Sequence, residues 1–525
     1  MAKTRPYLFY DVALSICSKC YRKVEGKIIF QDDNVYLLKR CPEHRAEKIL
    51  IADDVDYYRR CREIFIKPPE MPLVYNTPVK WGCPHDCGLC TDHEQHSCLT
   101  LVEVCDYCNL RCPVCYASSG PERQQFRSLA QIEKMLDAVV RNEGHPDVVQ
   151  LSGGEPTVHP NFFEIVELAK ARPIRHLMVN TNGVRIAQEE DFVKRLAEVK
   201  EDFEVYLQFD SFEREPLIEL RGADLRRIRE DALEKLNRYN ISTNLVVTLK
   251  KGLNDHEIGK TIDYALQQPC VRGVTFQPIQ DAGRIEFPTD HKNGGAPSLA
   301  DFARPGNLDG MGVHNFNPAT DRLTLTEVRR KILEQTSVFK PEDVIPVPCH
   351  PDSLAMAYAL KLNDQVTPLT SMIPPEVLIN GAKNTILYEQ EPAVRDGLFK
   401  LFATNHSPQS QAGTLRELLC CLPPVWIPEE ITTEHVGTAA LGRPAEPSSA
   451  APPLTYENIF RIIIMQFLDA HSFDVRSVKK TCVHIVHPDG RLIPFDTYNL
   501  FYRDELEKTR LAPLRAISEA ALATL

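Results

Sequence analysis

The run Cys108-Asn109-Leu110-Arg111-Cys112-Pro113-Val114-Cys115 decides how the rest of the chain is interpreted. Its cysteines follow the spacing C-x3-C-x2-C. A loop this short can place three thiolates on three irons of one [4Fe–4S] cluster, whereas such clusters are normally held by four cysteines. The missing fourth thiolate predicts an iron that is kept open for another ligand. A zinc site or a set of buried thiols is the alternative that the spacing leaves open.

A glycine turn, Gly153-Gly154-Glu155-Pro156, follows this loop after the apolar run Val148-Val149-Gln150-Leu151. The apolar run predicts a buried strand that ends in the turn. Glycine has no Cβ, so its backbone can approach a neighbour closely. The turn makes a purely structural zinc or thiol site less favoured.

The two motifs together resemble the radical S-adenosylmethionine (SAM) superfamily. In that superfamily the open iron chelates the amino and carboxylate groups of SAM. One electron from the cluster then breaks the sulfonium C–S bond and yields a 5′-deoxyadenosyl radical. The resemblance implies an enzyme with Cys108, Cys112 and Cys115 as catalytic cluster ligands. It also implies that the 153–156 turn sets backbone groups and the acid of Glu155 against the SAM amino group.

Composition favours a soluble, metal-rich chain of 525 residues, enough for two to four domains. A net charge of −11 argues against nucleic-acid binding, and no apolar run is long enough to cross a membrane. Twelve of the seventeen cysteines lie between positions 17 and 115, which favours metal binding over disulfides in a cytosolic chain. We therefore expect a cytoplasmic protein, with peripheral contact to the inner membrane surface left open.

The N-terminal module, residues 1–66, combines two metal-binding knuckles with two short strand-like runs between them. We predict a rubredoxin-like or zinc-ribbon-like fold in which one Fe or Zn ion has four ligands. Cys61 is the alternative fourth ligand. The predicted ligands are Cys17, Cys20, Cys41 and His44.

Residues 67–98 contain a second C-x3-C-x2-C loop, formed by Cys83, Cys87 and Cys90. Two equal spacings so close together predict an auxiliary [4Fe–4S] cluster beside the first, and a zinc knuckle is the alternative. Its fourth ligand is open between Cys98, Cys105, a distant cysteine, and a substrate or sulfide. We expect His93 and His96 at the surface or behind the ligands.

Residues 99–285 alternate strands and helices at a rhythm that predicts parallel strands with crossover helices. Six strands, at 99–104, 147–151, 175–180, 204–210, 242–248 and 273–278, match an α/β fold with a partial (β/α)6 TIM-like barrel. Active sites of such barrels lie at the carboxyl ends of the strands. By resemblance, four further residues there bind SAM, although strand-end turn positions are the alternative. They are Asn180, Asn182, Gln208 and Asp210.

The remaining chain is predicted to be a largely helical extension. Residues 286–435 comprise a loop insertion and a helical region with examples at 325–335 and 392–402. Residues 436–453 form a flexible Ala/Pro/Ser-rich linker. The C-terminal region, 454–525, is expected to begin and end with a helix around a hairpin turn at Asp489-Gly490.

The order of motifs along the chain resembles the tetraether lipid synthase family. The motifs are C-x2-C…C-P-E-H, C-P-x-D-C-G-L-C, the SAM loop and the tail H-P-D-G-R-L-I-P-F-x-T-Y-N. The resemblance implies a mononuclear metal and more than one auxiliary cluster. Asp496 stands where the archaeal pattern has cysteine. A third cluster would therefore use Cys482, one of Cys349, Cys420 and Cys421, and an unusual Asp496 ligand, or would be altered or absent.

Three functions remain open from the sequence. The first is radical C–C bond formation between lipid or fatty-acyl chains, and the second is C-methylation of a small heterocycle such as a dihydropterin. The third is a non-catalytic metal or electron-transfer protein. For either enzyme we expect SAM as a cofactor, a small-molecule or lipid substrate and an external ferredoxin-like or flavodoxin-like electron donor.

Overall fold

The computed structural model describes residues 4–65, 71–287, 316–347, 350–362, 365–371 and 458–522. The chain begins with a four-stranded antiparallel sheet in the order β1-β2-β3-β4. Helix α1 (Val55–Glu63) follows, and its first turn is capped by Asp54, whose side chain accepts a hydrogen bond from Tyr57 N. The strands are β1 (Leu8–Ile16), β2 (Lys23–Gln31), β3 (Asn34–Cys41) and β4 (Arg45–Ala52).

All six predicted barrel strands are present, and each pairs in parallel with its neighbour. Their fully buried apolar runs are typical of strands covered on both faces. A short strand, β6, lies in the cysteine loop at 108–115. The strands of this region are β5 (Leu99–Cys105), β6 (Val114–Cys115), β7 (Val148–Gly153), β8 (His176–Thr181), β9 (Phe203–Gln208), β10 (Thr243–Leu249), β11 (Val271–Pro278) and β12 (Arg284–Ile285).

Crossover helices link these strands and bury one apolar stripe each against the sheet. Ser128 starts the first of these helices with a capping box. Its hydroxyl accepts a hydrogen bond from Gln131 N, and the Gln131 side chain accepts one from Ser128 N. The helices are α2 (Leu129–Glu143), α3 (Phe162–Lys170), α4 (Val184–Gln188), α5 (Glu190–Glu198), α6 (Arg214–Arg221), α7 (Arg226–Arg238) and α8 (Ile258–Gln267).

The C-terminal extension adds two more parallel strands to the barrel, one at each end. Strand β16 pairs with β11, and β17 pairs with β5, so eight parallel strands run in the order β16-β11-β10-β9-β8-β7-β5-β17. The elements of this extension are α9 (Leu325–Gln335), β13 (Ile345–Pro346), β14 (Leu354–Leu362), β15 (Gln365–Pro368), β16 (Ile459–Met465), α10 (Val475–Lys479), β17 (Val483–Val486), β18 (Leu492–Pro494), α11 (Phe495–Thr497) and α12 (Ala512–Leu522), with π-helical turns at Tyr498–Tyr502 and Glu507–Leu511.

The prediction that a helix opens the tail is wrong, because Ile459–Met465 is strand β16 and every residue in it is buried. A short apolar run fits either element, and its isoleucines favour the strand once a parallel neighbour is available. The closing helix and the hairpin at Asp489-Gly490 are confirmed. Of the region predicted as helical, 325–335 is a helix while 345–368 contains β13 to β15. The helix at 392–402 and the linker at 436–453 lie outside the described residues.

A buried ion pair crosses the barrel interior between strands that are not neighbours. Arg461 on β16 donates to both carboxylate oxygens of Glu204 on β9, each at 2.6 Å, and both side chains have no exposed surface. His176 on β8 lies 3.4 Å from the same carboxylate. Two strands separate β9 from β16 in the sheet. Side chains from these strands can meet because the sheet is curved into a barrel.

Candidate active site

The first cysteine loop lies at the carboxyl ends of the barrel strands and is clamped by the segment after β11. Strand β12 pairs with β6, so that Arg284 lies opposite Cys115. The Arg284 guanidinium also donates to Cys112 O over 2.8 Å. Glu286 N donates to Pro113 O, 3.0 Å away. The β12 segment therefore holds the backbone of the cysteine loop in place.

The three thiols of this loop share one cavity, and no fourth cysteine is among the described residues that line it. Burial, reinforced by the neighbouring thiols, raises the pKa of Cys108 and of Cys112. Cys108 and Cys112 therefore keep their protons unless a metal replaces them. This donor set fits a cluster with three protein ligands and one open iron.

The glycine turn packs against the backbone that enters the cysteine loop. Gly154 N donates to Cys105 O over 2.7 Å, and Glu155 N donates to Tyr107 O over 2.9 Å. A Cβ on Gly153, where φ is +125°, would lie 2.2 Å from Cys105 O, and one on Gly154 would lie 2.0 Å from Tyr107 O. Glycine is required here because the two loops touch through their backbones.

The Glu155 carboxylate, expected to face the SAM amino group, is occupied by the protein's own donors. Thr157 N and Oγ1 and Thr181 Oγ1 donate to Oε1 at 3.1, 2.5 and 2.7 Å, and Asn182 N donates to Oε2 at 2.7 Å. Burial raises the pKa of Glu155, and these hydrogen bonds oppose the shift. The side chain thus ties the end of β7 to the end of β8, while Pro156 starts a single 3₁₀ turn.

The other predicted SAM-binding residues form a hydrogen-bonded row along the strand ends. Asn180 Nδ2 donates to Ser152 Oγ over 3.4 Å, and Gln208 Nε2 donates to Asn180 Oδ1 over 2.8 Å. Asn182 reaches the cysteine loop instead, where its Nδ2 donates to Asn109 Oδ1 over 2.7 Å. The row crosses β7, β8 and β9 in sequence.

Arg221, which the sequence analysis missed, anchors this row. Its guanidinium donates to both oxygens of Asp210 at 2.7 and 2.6 Å and to Gln208 Oε1 at 2.8 Å. Asp210 is fully buried, and the adjacent arginine keeps its pKa below the usual range in spite of that burial. Arg221 therefore fixes the orientation of this carboxylate, and a contact between Asp210 and SAM stays a prediction. No local sequence pattern distinguishes Arg221 from other arginines at helix ends.

The cavity beside the cysteines measures about 160 Å³ and is lined by all eight parallel strands. Its lining is largely apolar, with aromatic rings from Tyr206, Phe467 and Phe495. Six carboxamides also line it, and among the described residues Gln280 Oε1 is buried without a hydrogen-bond partner. The carboxamides belong to Gln150, Asn180, Asn182, Gln208, Gln277 and Gln280.

The second cysteine loop lies under the tail and outside this cavity. Thr497 Oγ1 donates to Cys87 Sγ over 3.0 Å, and Cys87 N donates to Tyr502 OH over 2.9 Å. Hydrogen bonding to Cys87 and burial raise the pKa of the Cys83 thiol. Burial likewise raises the pKa of the Cys90 thiol. Cys83 interacts with both Cys87 and Cys90, and this donor set fits a metal centre with three thiol ligands.

Two of the fourth-ligand candidates for this loop, Cys98 and Cys105, are buried and contact other groups. Cys105 is engaged at the first site, where its Sγ lies 3.4 Å from Glu155 O. Cys98 Sγ lies 3.4 Å from His96 Nε2. His93, expected at the surface or behind the ligands, is buried with its Nε2 3.1 Å from His484 Nε2. The reason is that β17, which carries His484, packs beside β5.

Asp496, proposed as a possible ligand of a third cluster, has both oxygens engaged elsewhere. Leu468 N donates to Oδ1 over 2.5 Å, and Thr481 Oγ1 donates to Oδ2 over 3.1 Å. Burial raises its pKa to about 6. Cys482 is buried nearby in sequence, whereas Cys349, Cys420 and Cys421 lie outside the described residues.

The N-terminal knuckles bring four ligand atoms together as predicted, all within 4.8 Å of one another. His44 Nδ1 lies 3.6 Å from the sulfurs of both Cys17 and Cys41. Burial disfavours the Cys41 thiolate, but hydrogen bonds from His44 outweigh it and lower the Cys41 pKa to about 6. Among described residues this is the one group of three or more close ligands, and Cys61 is not in it. It comprises Cys17, Cys20, Cys41 and His44.

Two family models match this chain. Residues 102–265 match the model "Radical SAM superfamily", and residues 9–53 match "HMPTM N-terminal zinc ribbon domain". The chain is a radical SAM enzyme with an N-terminal zinc ribbon. This superfamily uses a [4Fe–4S] cluster and SAM.

Individual relatives give the finer comparison. The 7,8-dihydro-6-hydroxymethylpterin dimethyltransferase of Methanocaldococcus jannaschii is 29% identical over 513 residues, which cover 95% of this chain and 96% of the relative. GTP 3′,8-cyclase of Alkaliphilus oremlandii is 27% identical over 187 residues, covering 35% of this chain and 57% of the cyclase. Streptococcus suis SuiB bound to its precursor peptide SuiA superposes with a TM-score of 0.30 at 17% identity, over 35% of this chain and 40% of SuiB.

These findings support the resemblance at the level of the superfamily and the zinc ribbon. A relative that spans nearly the whole chain is a pterin dimethyltransferase, so the comparisons favour the heterocycle hypothesis over lipid coupling. None of the helices in the described ranges has the length and apolar character needed to span a bilayer.

Proposed function

We propose that this enzyme methylates carbon atoms of a small planar heterocycle, with 7,8-dihydro-6-hydroxymethylpterin as the candidate substrate. The observation that carries the proposal is the similarity to the M. jannaschii dimethyltransferase over 95% of this chain. That similarity includes the zinc ribbon, the barrel and the tail, and is not confined to the SAM-binding region.

The cavity lining supports a heterocycle. Small-molecule pockets are mostly apolar, with a few polar groups that fix orientation. A carboxamide offers both a donor and an acceptor, as the amide-like edge of a pterin does. Gln280 is the best candidate for this edge, because its buried Oε1 lacks a partner among the described residues. Gln277 lies on the adjacent β11, where its Nε2 donates to Tyr206 OH over 3.2 Å.

The cysteines at 108, 112 and 115 would hold the [4Fe–4S] cluster whose bound SAM, when reduced, supplies a 5′-deoxyadenosyl radical. In this proposal Glu155 holds the glycine turn and the Asn182 backbone in place. Arg221 orients Gln208 and fixes Asp210, which leaves the strand-end amides to contact SAM. Cys83, Cys87 and Cys90 would hold an auxiliary cluster, and the N-terminal site would hold one Zn or Fe ion.

The division of the chain is also part of the proposal. Residues 1–66 would form the metal module, 67–98 the auxiliary loop and 99–285 the catalytic barrel. A ferredoxin-like or flavodoxin-like protein would deliver the electron. Because β16 and β17 complete the barrel, the 454–525 region would belong to the catalytic unit.

The direct test uses the full-length enzyme, reconstituted anaerobically and supplied with SAM, dithionite and the dihydropterin. We expect 5′-deoxyadenosine together with a pterin whose mass has increased by one or more methyl groups. Cleavage of SAM without any change in the pterin would contradict the substrate assignment. Lipid analysis of a strain that lacks the gene tests the competing lipid-coupling hypothesis, which predicts loss of coupled chains.

A specificity test follows from Gln280. We expect Gln280→Leu to raise KM for the pterin by about one order of magnitude, since losing a hydrogen bond to a buried polar group costs about 1–3 kcal/mol. The KM for SAM should change little. Gln124→Leu is a matched control at an exposed position outside the cavity lining. An unchanged pterin KM in Gln280→Leu would remove this residue from the substrate site.

A further inference from the structure

The tail places a hydroxyl group directly on one sulfur of the second cysteine loop. Thr497 Oγ1 lies 3.0 Å from Cys87 Sγ, and both side chains are buried. The Pro494 carbonyl oxygen, 3.1 Å away, is a second acceptor for the same hydroxyl. A metal-bound thiolate carries negative charge and is the stronger acceptor of the two, because hydrogen bonds to charged groups are stronger than those to neutral groups.

The backbone around this contact is fixed from both sides. Cys87 N donates to Tyr502 OH over 2.9 Å, and the same hydroxyl donates to His85 O over 2.9 Å. Leu89 N donates to Leu492 O over 3.1 Å. The loop is therefore tied to the tail at three alternate positions, His85, Cys87 and Leu89. These hydrogen bonds keep the backbone of Cys87 beside the helix that carries Thr497.

The same short helix links the loop to the cavity. Phe495, at the start of α11, lines the cavity, and Thr497, at its end, contacts Cys87. No cysteine of the second loop is among the described residues that line the cavity. A metal centre on this loop would therefore influence the reaction through its electrons and not by binding the substrate. The property that matters for such a role is its reduction potential.

We propose that Thr497 sets the reduction potential of the metal centre held by Cys83, Cys87 and Cys90. Reduction adds one electron to the centre and breaks no bond. A hydrogen bond to a ligand sulfur stabilises the more negative, reduced state and so raises the potential. The inference rests on the proposed auxiliary cluster but not on the identity of the substrate.

The test is a redox titration of the reconstituted full-length protein without substrate, followed by electron paramagnetic resonance. All variants carry Cys112→Ala, which removes the signal of the first cluster. We expect Thr497→Val, which keeps the shape but removes the hydroxyl, to shift the midpoint to more negative potential. Thr497→Ser, which keeps the hydroxyl, should titrate like the parent. Thr497→Ala is a second variant without the hydroxyl, in case valine disturbs folding.

Iron and sulfide content is measured in every variant. An unchanged midpoint in Thr497→Val and Thr497→Ala at full iron content would overturn the proposal. An equal shift in Thr497→Ser would also overturn it, because packing and not the hydroxyl would then be responsible. Adding Cys83→Ala should abolish the signal. If the signal persists, the auxiliary cluster itself is misassigned, and that failure is distinguishable from a failure of the Thr497 effect.

Discussion

At the scale of single residues, the three thiols of the first loop depend on one another. Burial and mutual proximity raise the pKa of Cys108 and Cys112, so neither thiol is a good metal ligand alone. A metal that binds all three at once overcomes this cost. Loss of one thiol is therefore expected to disable the whole site.

Cys112→Ala should abolish 5′-deoxyadenosine formation and lower the iron content. Cys270→Ala is a matched control, because Cys270 is a buried cysteine outside the cavity lining. Liquid chromatography of the nucleoside and an iron assay provide the two readouts. Product formed by Cys112→Ala at the parental rate would show that the cluster is held elsewhere.

Asp496 should make stability depend on pH. Burial raises its pKa in the folded protein to about 6, above the unfolded value near 3.8. The folded state then binds more protons than the unfolded state between these values, so stability falls as pH rises from about 4 to about 6. A shift of this size corresponds to about 3 kcal/mol. The loss is complete above the folded pKa.

Asp496→Asn should flatten this dependence, because the amide stays neutral at every pH. Its Oδ1 can still accept from Leu468 N, and its Nδ2 can donate to the Thr481 hydroxyl oxygen. Urea midpoints of the parent and the variant at pH 4.5 and pH 7.5 measure the difference. An equal pH dependence in both proteins would show that Asp496 does not titrate in this range.

At the scale of elements, the turn after β7 and the start of the cysteine loop form one unit. Gly153 combines a positive φ of +125° with a backbone oxygen 2.2 Å from the site of a Cβ. The crowding and the backbone conformation both oppose any side chain. A side chain at position 153 could therefore be accommodated only if the start of the cysteine loop moved together with the turn.

Gly153→Ala should lower both stability and iron content strongly. Gly252→Ala is the matched control, because Gly252 also has a positive φ, of +73°, but nothing lies within 4 Å of its Cβ position. Gly252→Ala should lower the free energy of unfolding only by the cost of the backbone strain, about 1–2 kcal/mol. Thermal unfolding and an iron assay compare the two variants. Equal effects would mean that strain, and not crowding, requires glycine at position 153.

Elements with strong local patterns were predictable from the sequence, and those defined by distant contacts were not. Apolar runs that end in turns predict the strands at 148–153 and 176–181. Ile459–Met465 is also a buried apolar run. Its sequence does not indicate that it pairs with β11, which lies far earlier in the chain. Arg221 likewise gains its role only when α6 folds over Asp210. The cysteine spacings were the most informative signal, because metal ligands near in sequence need no distant partner.

At the scale of the whole molecule, the ion pair between Glu204 and Arg461 joins the catalytic barrel to the tail. Glu204→Gln should destabilise the protein by about 3–5 kcal/mol, since it leaves the arginine buried without a counter-charge. The double variant Glu204→Gln/Arg461→Met should recover most of this loss. Lys194→Ala, which breaks an exposed pair with Asp191, should change the free energy of unfolding little. Urea denaturation measures all three, and a Glu204→Gln variant as stable as the parent would exclude a structural role for the pair.

The zinc ribbon is attached to the same tail. Ser15 Oγ donates to Phe473 O and Lys39 Nζ to Ala470 O, each over 2.6 Å. The segment that receives these hydrogen bonds connects β16 to β17. The N-terminal module therefore supports the part of the chain that closes the barrel.

The placement of β16 and β17 at opposite ends of the parallel sheet has a consequence for biosynthesis. A ribosome releases the N-terminal segments first, so six strands and both cysteine loops emerge well before the strands that complete the cavity wall. The cavity is finished only when residues 459–486 have been made and have paired with strands synthesised long before. We therefore expect iron to reach the cysteines most easily before β16 and β17 have paired with the rest of the sheet.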